Sequence, residues 1–147
     1  MFAHILCAID GSEHARKAAT VATDLAVRHG SRLTFITITR ELALTGELKR
    51  YVEIENQSRT PQYILDERTE KTLEDAARGA REAGVAKIRT AVMTGKPARD
   101  IVAYADHHDV DLTVLGARGL GELEALLLGS VAHKVASLAK NSVLVVR

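Results

Sequence analysis

Short runs that are apolar throughout alternate along this chain with longer stretches whose apolar residues recur every three or four positions. Residues 2–9 form the first run, broken only by His4. A run of this length, apolar on both faces, predicts a central strand of a parallel sheet. Asp10-Gly11-Ser12 ends it. Ser12 is placed to cap the helix that follows, with Glu13 at the positive end of its dipole. Ala15, Ala18, Ala19, Ala22, Leu25 and Ala26 fall on one face of that helix, and Gly30 stops it after Arg28 and His29. The β-branched run Arg32–Thr39 predicts strand two.

From 40 to 59 the chain turns polar and loses its period, which predicts either partial helix around 47–55 or a mobile flap. Thr60-Pro61 marks a helix start, with proline at the first helical position. Ile64, Leu65, Thr72, Leu73, Ala76, Ala80 and Ala83 supply its buried stripe, and Gly84 closes it. Residues 86–93 set Ile88, Thr90 and Val92 against Lys87, Arg89 and Ala91, the alternation of a half-exposed edge strand. Gly95-Lys96-Pro97 turns into a helix with Ala98, Ile101, Val102 and Ala105 inward. Residues 111–115 predict strand four, with Thr113 in the core. Ser130 begins a last helix with Val131, Val135 and Leu138 inward, and 143–146 predict strand five. The order βαβαβαβαβ is that of an α/β domain built on a parallel sheet, with no internal repeat, linker or second domain in 1–147.

Candidate chemistry gathers after strand four. Gly116 and Gly119 are separated by two residues, and after nine intervening residues Gly129-Ser130 opens the last helix. A strand ending in a glycine loop that leads into a helix N-terminus can cradle phosphate. Backbone N–H groups lie open where no Cβ blocks approach, and the helix start adds positive partial charge. Glycine being about 7% of residues and Ser plus Thr roughly a tenth, the whole spacing arises by chance in on the order of one such chain in two hundred. In open α/β sheets, ligands bind beyond the C-terminal strand ends where strand order reverses. Asp10 ends strand one and Gly116 ends strand four, so both motifs face one crevice if those strands are neighbours.

Composition narrows the classes. The 147 residues carry a net charge of +1, with 46% hydrophobic and 27% charged residues, a balance typical of a water-soluble globular chain. The near-neutral charge and 3% aromatic content, with no Trp, provide neither an electrostatic footprint for nucleic acid nor a base-stacking platform. No apolar run reaches transmembrane length, and Asp10 comes too early for a signal peptide. The single cysteine, Cys7, sits in an apolar run and reads as a buried reduced thiol. A cytoplasmic protein with no nucleic-acid or membrane partner is expected.

The stretches Val-Leu-Gly116-Ala-Arg-Gly119 and Leu-Leu-Leu-Gly129-Ser130-Val-Ala-His133-Lys134-Val, the closing 143–147, and the opening Ile5-Leu-Cys-Ala-Ile-Asp10-Gly-Ser-Glu13 resemble the universal stress protein family over the whole chain. The resemblance implies a single doubly wound domain, with a five-stranded parallel sheet of order 3-2-1-4-5 and helices on both faces. It also implies homodimers paired through the last strand. The complete glycine spacing matches the family's ATP-binding subgroup. Carried over by position, Asp10 accepts hydrogen bonds from the ribose, and Thr37 and Ile38 line the adenine, mostly through backbone. Gly116, Arg118 and Gly119 wrap the phosphates, while Gly129, Ser130 and Val131 hold their far end, with Mg²⁺ bridging phosphate oxygens. The chain departs from the family's pattern at Ala117, where Ser is frequent, and at Lys140-Asn141-Ser142, where Pro-Cys-Pro is frequent.

Each residue also has a plainer reading. Asp10 is ordinary Asp-Gly-Ser turn chemistry, Ser130 a good N-cap, Arg118 a solvated loop charge, His133 a residue of an exposed or half-exposed helix face, and 126–128 core. His107-His108 lack metal-ligand spacing with any partner. No nucleophile elbow or Gly-x-x-x-x-Gly-Lys-Ser/Thr loop is present. Glu13, His14 and Asp10 are placed to come near a terminal phosphate, without a means of positioning a water. The expected function is a nucleotide-responsive regulator with an unidentified protein partner. The alternatives are a slow ATP hydrolase or autophosphorylating enzyme, and a nucleotide-independent interaction module.

Overall fold

The computed structural model describes residues 1–40, 61–121 and 127–147, the side chains of 61–64 excepted. The expectation for 40–59 therefore falls, beyond residue 40, outside the described residues, and so does the side chain of Ile64. Five strands and four helices alternate in them: β1 (His4–Ala8), α1 (Glu13–His29), β2 (Arg32–Thr39), α2 (Pro61–Glu82), β3 (Lys87–Thr94), α3 (Pro97–His107), β4 (Leu112–Gly116), α4 (Ser130–Leu138) and β5 (Ser142–Val146). All strand pairs are parallel, in the order β3-β2-β1-β4-β5. Strand order reverses between β1 and β4, where Cys7 pairs with Val114 and Ala8 with Leu115.

Two cores lie on opposite faces of this sheet. On one, the alanine face of α1 and Leu73 and Ala80 of α2 pack on Ile5, Cys7, Leu33, Phe35 and Val114. On the other, α3 and α4 pack through Ala98, Ile101, Ala105, Ala132 and Val135 on Leu6, Ile36 and Leu115. β1 sends alternate residues to both, which is why its run is apolar without a break. Small residues on α1 let it lie close on β4. A Cβ on Gly116 would come within 2.8 Å of the backbone carbon of His14 and 2.9 Å of the Ala15 nitrogen. Gly116 is thus required by helix–sheet packing, whatever binds nearby. Burial also pushes the Cys7 thiol well above its ordinary range, so this cysteine is inert core.

Helix ends follow their capping residues. Ser12 Oγ accepts from Ala15 N at 3.2 Å, and Gly30 closes α1 in the left-handed conformation at φ 64°. Asp100, buried in the first turn of α3, accepts from Lys96 N at 2.7 Å and from Arg99 Nε at 2.8 Å. At the start of β5, Asn141 Nδ2 donates to Thr113 Oγ1 at 2.9 Å and Lys140 pairs with Asp106 at 2.8 Å. These contacts fix the start of the last strand.

Several apolar positions lie elsewhere than the periodicity predicts. In β3, Val92 is 52% exposed and Thr90 is exposed, while Ala91 and Met93 on the other face are half-buried. The α2 core meets β3 at Ile88, and the α3 core meets it at Ala91 and Met93, so this edge strand serves both faces. Leu138 is 59% exposed. The inner stripe of α4 runs through Ala132, Val135 and Ala139, and Leu138 lies off its axis at the helix end. Ala83 is exposed, and Val85 takes the buried position beyond α2. Leu127 and Leu128, read as core, are exposed on the loop before Gly129; Leu126 lies outside the described residues.

Candidate functional site

The two motifs separated by more than a hundred residues meet at the C-terminal ends of β1 and β4. Asp10, just past β1, uses one carboxylate oxygen to accept from Ser12 N at 2.9 Å, an Asx turn. Its other oxygen accepts from Leu120 N at 3.1 Å, on the glycine loop. Gly119 makes that approach possible, since a Cβ there would sit 2.6 Å from Asp10 Oδ2. Two bonds leave further lone-pair positions on the carboxylate, and Asp10 is exposed. A ligand diol can therefore reach it without displacing the turn.

The loop closes on itself at its base. Ala117, fully buried, donates through its N–H to Val146 O at 2.7 Å and accepts from Gly129 N at 2.6 Å. This clasp explains the long gap in the glycine spacing: the chain leaves β4 at Gly116, loops out, and returns to the same point at Gly129. Gly129 is the N-cap of α4 and has no side chain to bond the first-turn N–H groups. His133 N to Gly129 O, at 3.0 Å, is the first bond of the helix. The N–H groups of Ser130, Val131 and Ala132 have no acceptor within the helix and carry its positive dipole end. Ser130 is exposed and Val131 half-buried at this mouth.

Arg118 lies between the two loop glycines and is half-buried. Its guanidinium donates to His14 Nε2, on the first turn of α1, at 3.0 Å. The other ring nitrogen, His14 Nδ1, is buried and has no hydrogen-bond partner among the described residues. A buried donor left in that state costs about 1–3 kcal/mol. The reading of Arg118 as a solvated charge is thus corrected: the loop folds it back onto α1.

Thr37 and Ile38 end β2 beside this crevice, with their side chains on opposite faces of the sheet. Thr37 is buried and donates through Oγ1 to Ile9 O at 2.8 Å, joining the ends of β2 and β1. Ile38 packs on the core of α3 and α4. Neither side chain offers a free polar group there, so contact with a base at this end falls to backbone and apolar surface.

Among the described residues, no three His, Cys, Asp or Glu side chains are grouped to hold a metal. His107 Nδ1 bonds to Ala103 O at 2.7 Å, and the His108 ring stacks on Tyr104 with centroids 4.0 Å apart. A groove of about 620 Å³ lies elsewhere, between α1 and α2, reaching from Ile9 and Gly11 along Ala19, Thr23 and Ala76 to Val27. Its threonines Thr20, Thr23 and Thr72 donate to carbonyls of their own helices, and Asp24 and Asp75 pair with Arg28 and Arg78. The groove offers volume, but the glycine loop brings backbone N–H groups and a helix N-terminus together, and donors are what orient a polar ligand. Among the described residues, no helix is long and apolar enough to cross a membrane.

Local spacing marked the glycine loop, Asp10 and the helix start as candidates, and the structure brings them to one end of the sheet. Spacing did not reveal that Asp10 closes the loop or that Arg118 meets His14, contacts spanning 110 and 104 residues. Only the adjacency of β1 and β4 brings those groups together.

Comparison with known proteins agrees with this geometry. The universal stress protein family profile matches residues 1–147. The universal stress protein YxiE of Bacillus subtilis is 37% identical over 155 aligned positions that cover all of both chains. Among solved structures, universal stress protein UspA from Lactobacillus plantarum superposes with a TM-score of 0.80 at 26% identity, covering 98% of this chain and 97% of its own. A universal stress protein in complex with cAMP superposes with a TM-score of 0.70 at 26% identity, covering 99% and 97%. With the β3-β2-β1-β4-β5 sheet, the glycine clasp and full-length similarity all in agreement, this chain belongs to the universal stress protein family.

Proposed function

We propose that this universal stress protein binds ATP at the crevice between β1 and β4 and acts as a nucleotide-responsive regulator in the cytoplasm. The observation that carries the reading is the hydrogen bond from Leu120 N to Asp10, which joins the β1 turn to the glycine loop beside the uncapped start of α4. A relative of similar fold is described in complex with cAMP, which supports an adenine nucleotide as the ligand class. In this reading Asp10 accepts from the ribose hydroxyls, and the ends of β2 at Thr37 and Ile38 flank the base. Gly116, Arg118 and Gly119 surround the phosphates, and the N–H groups of Ser130 and Val131 with Gly129 hold their far end.

Backbone N–H groups and one arginine suit a phosphate chain, and the donor set suits Mg²⁺ only through the phosphates themselves. The metal would neutralise charge between phosphate oxygens. The site has donors that hold an anion and no described group that positions a water or acceptor hydroxyl for in-line attack. Regulation, with at most weak hydrolysis or autophosphorylation, is therefore the preferred reading. Occupancy signals only if two conformations differ in affinity. The exposed β5 edge is where a second copy would pair, and an unidentified protein would read the loaded dimer.

Calorimetric titration of nucleotide-free protein with ATP, ADP, AMP and cAMP, with and without Mg²⁺, tests this. Micromolar ATP binding, lost in a Gly129→Val, Ser130→Val double variant, is the expected outcome. Clean wild-type protein that binds none of them would refute the reading and leave the nucleotide-independent module. Sustained phosphate release abolished by Gly119→Val would favour the enzyme.

A further inference from the structure

The contact between Arg118 and His14 constrains where the histidine carries its proton. A guanidinium only donates, so Nε2, 3.0 Å from Arg118, is the accepting, unprotonated nitrogen. The neutral ring must then hold its hydrogen on Nδ1, the atom buried without a partner. A proton on Nε2 would set donor against donor, and a doubly protonated ring would set cation against cation. The ligand-free protein thus keeps His14 in a form whose only N–H is unsatisfied, with Arg118 across its other nitrogen.

Resting on the nucleotide reading above, we propose that His14 is a phosphate-binding residue. The entering phosphates draw Arg118 off Nε2, and the imidazole takes a proton from solution at that atom, keeps it, and donates a hydrogen bond through it to a phosphate oxygen. The arginine moves because its planar fork of donors matches phosphate better than it matches one imidazole nitrogen. Nε2, relieved of its donor, then faces an anion, and protonation adds a second cation to the site. Several charged groups on the elements around His14 have partners of their own. On its own helix Glu13 and Lys17 pair at 3.6 Å, and Arg16 donates to Gly11 O at 3.0 Å. Asp10 lies on the β1–α1 turn, and Asp75 of α2 pairs with Arg78. Arg147, which follows the Val146 carbonyl bonded by Ala117, is the cation at the end of β5.

Proton uptake separates this role from a structural one. Wild-type protein and His14→Gln are titrated calorimetrically with ATP at pH 7.5 in two buffers of different ionisation enthalpy. Glutamine keeps an acceptor for Arg118, and the ligand's own protonation is common to both proteins. Per nucleotide bound, the wild type is expected to take up more protons than His14→Gln, by about half a proton or more. His14→Gln is expected to bind roughly tenfold more weakly. Equal proton uptake by two proteins that both bind ATP would overturn the role of His14 and leave the nucleotide reading standing. Absence of binding by nucleotide-free wild type in either buffer would overturn both. Nitrogen NMR of the imidazole in the ligand-free protein gives an independent reading: the Nδ1–H form is expected, and the Nε2–H form would overturn the proposal.

Discussion

The glycines of the loop are alike in sequence and unlike in what they touch. A methyl on Gly116 meets backbone of α1, which cannot yield without moving the helix, whereas a methyl on Gly119 meets the end of the Asp10 side chain. Gly116→Ala is therefore expected to destabilise the protein by about 1–3 kcal/mol, read as a lower urea midpoint with or without nucleotide. Gly119→Ala is expected to lose about 1 kcal/mol but to weaken ATP binding at least tenfold, because it turns the Asp10 carboxylate away. The reverse ranking in urea would refute this account of the loop. At the opposite sheet end, buried His4 lies between Thr34 Oγ1 at 2.9 Å, the His108 carbonyl at 3.0 Å and Arg32 at 2.9 Å from the ring nitrogens. Burial lowers its pKa below 6.5; the His108 carbonyl opposes this with a smaller raising effect, and the nearby Arg32 charge adds a still smaller lowering one. The folded state thus favours the neutral ring, and the unfolded chain binds the proton more readily. The stability this contributes is complete above about pH 6.5 and is lost as pH falls toward the folded pKa. Urea midpoints measured between pH 7.5 and 5 should decline in wild type, and more shallowly in His4→Gln.

At the scale of elements, local chemistry and tertiary contact divide the work. The Ser12 hydroxyl caps α1, while its backbone N–H holds Asp10. Ser12→Ala should therefore lower stability by about 1 kcal/mol and leave ATP affinity within about twofold, because the Asx turn survives. A large loss of affinity would mean that the hydroxyl, too, serves the site. The residues of α1 are legible in the sequence because one uninterrupted alanine face packs on one sheet. Those of β3 are not, since an edge strand met by α2 at one point and α3 at another follows neither simple alternation. Leu138 departs from its periodicity for a related reason: a nine-residue helix buries only the middle of its stripe. Arg118 escapes the sequence because no local rule directs a loop arginine onto a helix a hundred residues earlier.

For the molecule as a whole, the order β3-β2-β1-β4-β5 places both helix layers and the crevice. A nucleotide that binds only the folded state stabilises it by mass action, about 2.7 kcal/mol at a hundred times its Kd. For a chain of this size that raises Tm by roughly 5–10 °C. Thermal unfolding with ATP should show this rise in wild type and not in the Gly129→Val, Ser130→Val variant, and an equal rise in both would place the ligand elsewhere. Features that depend on neighbours along the chain were readable without the fold. Unbroken apolar runs made buried parallel strands, small-residue periodicity made closely packed helices, and Ser12, Gly30 and the loop glycines set the turns. What those turns meet follows from how the strands are ordered in space. The crossovers set β1 against β4, and that adjacency makes Asp10 the closure of the glycine loop, Gly116 a packing requirement of α1, and His14 the partner of Arg118. Such contacts join groups more than a hundred residues apart, where hydrophobic period and capping rules no longer reach.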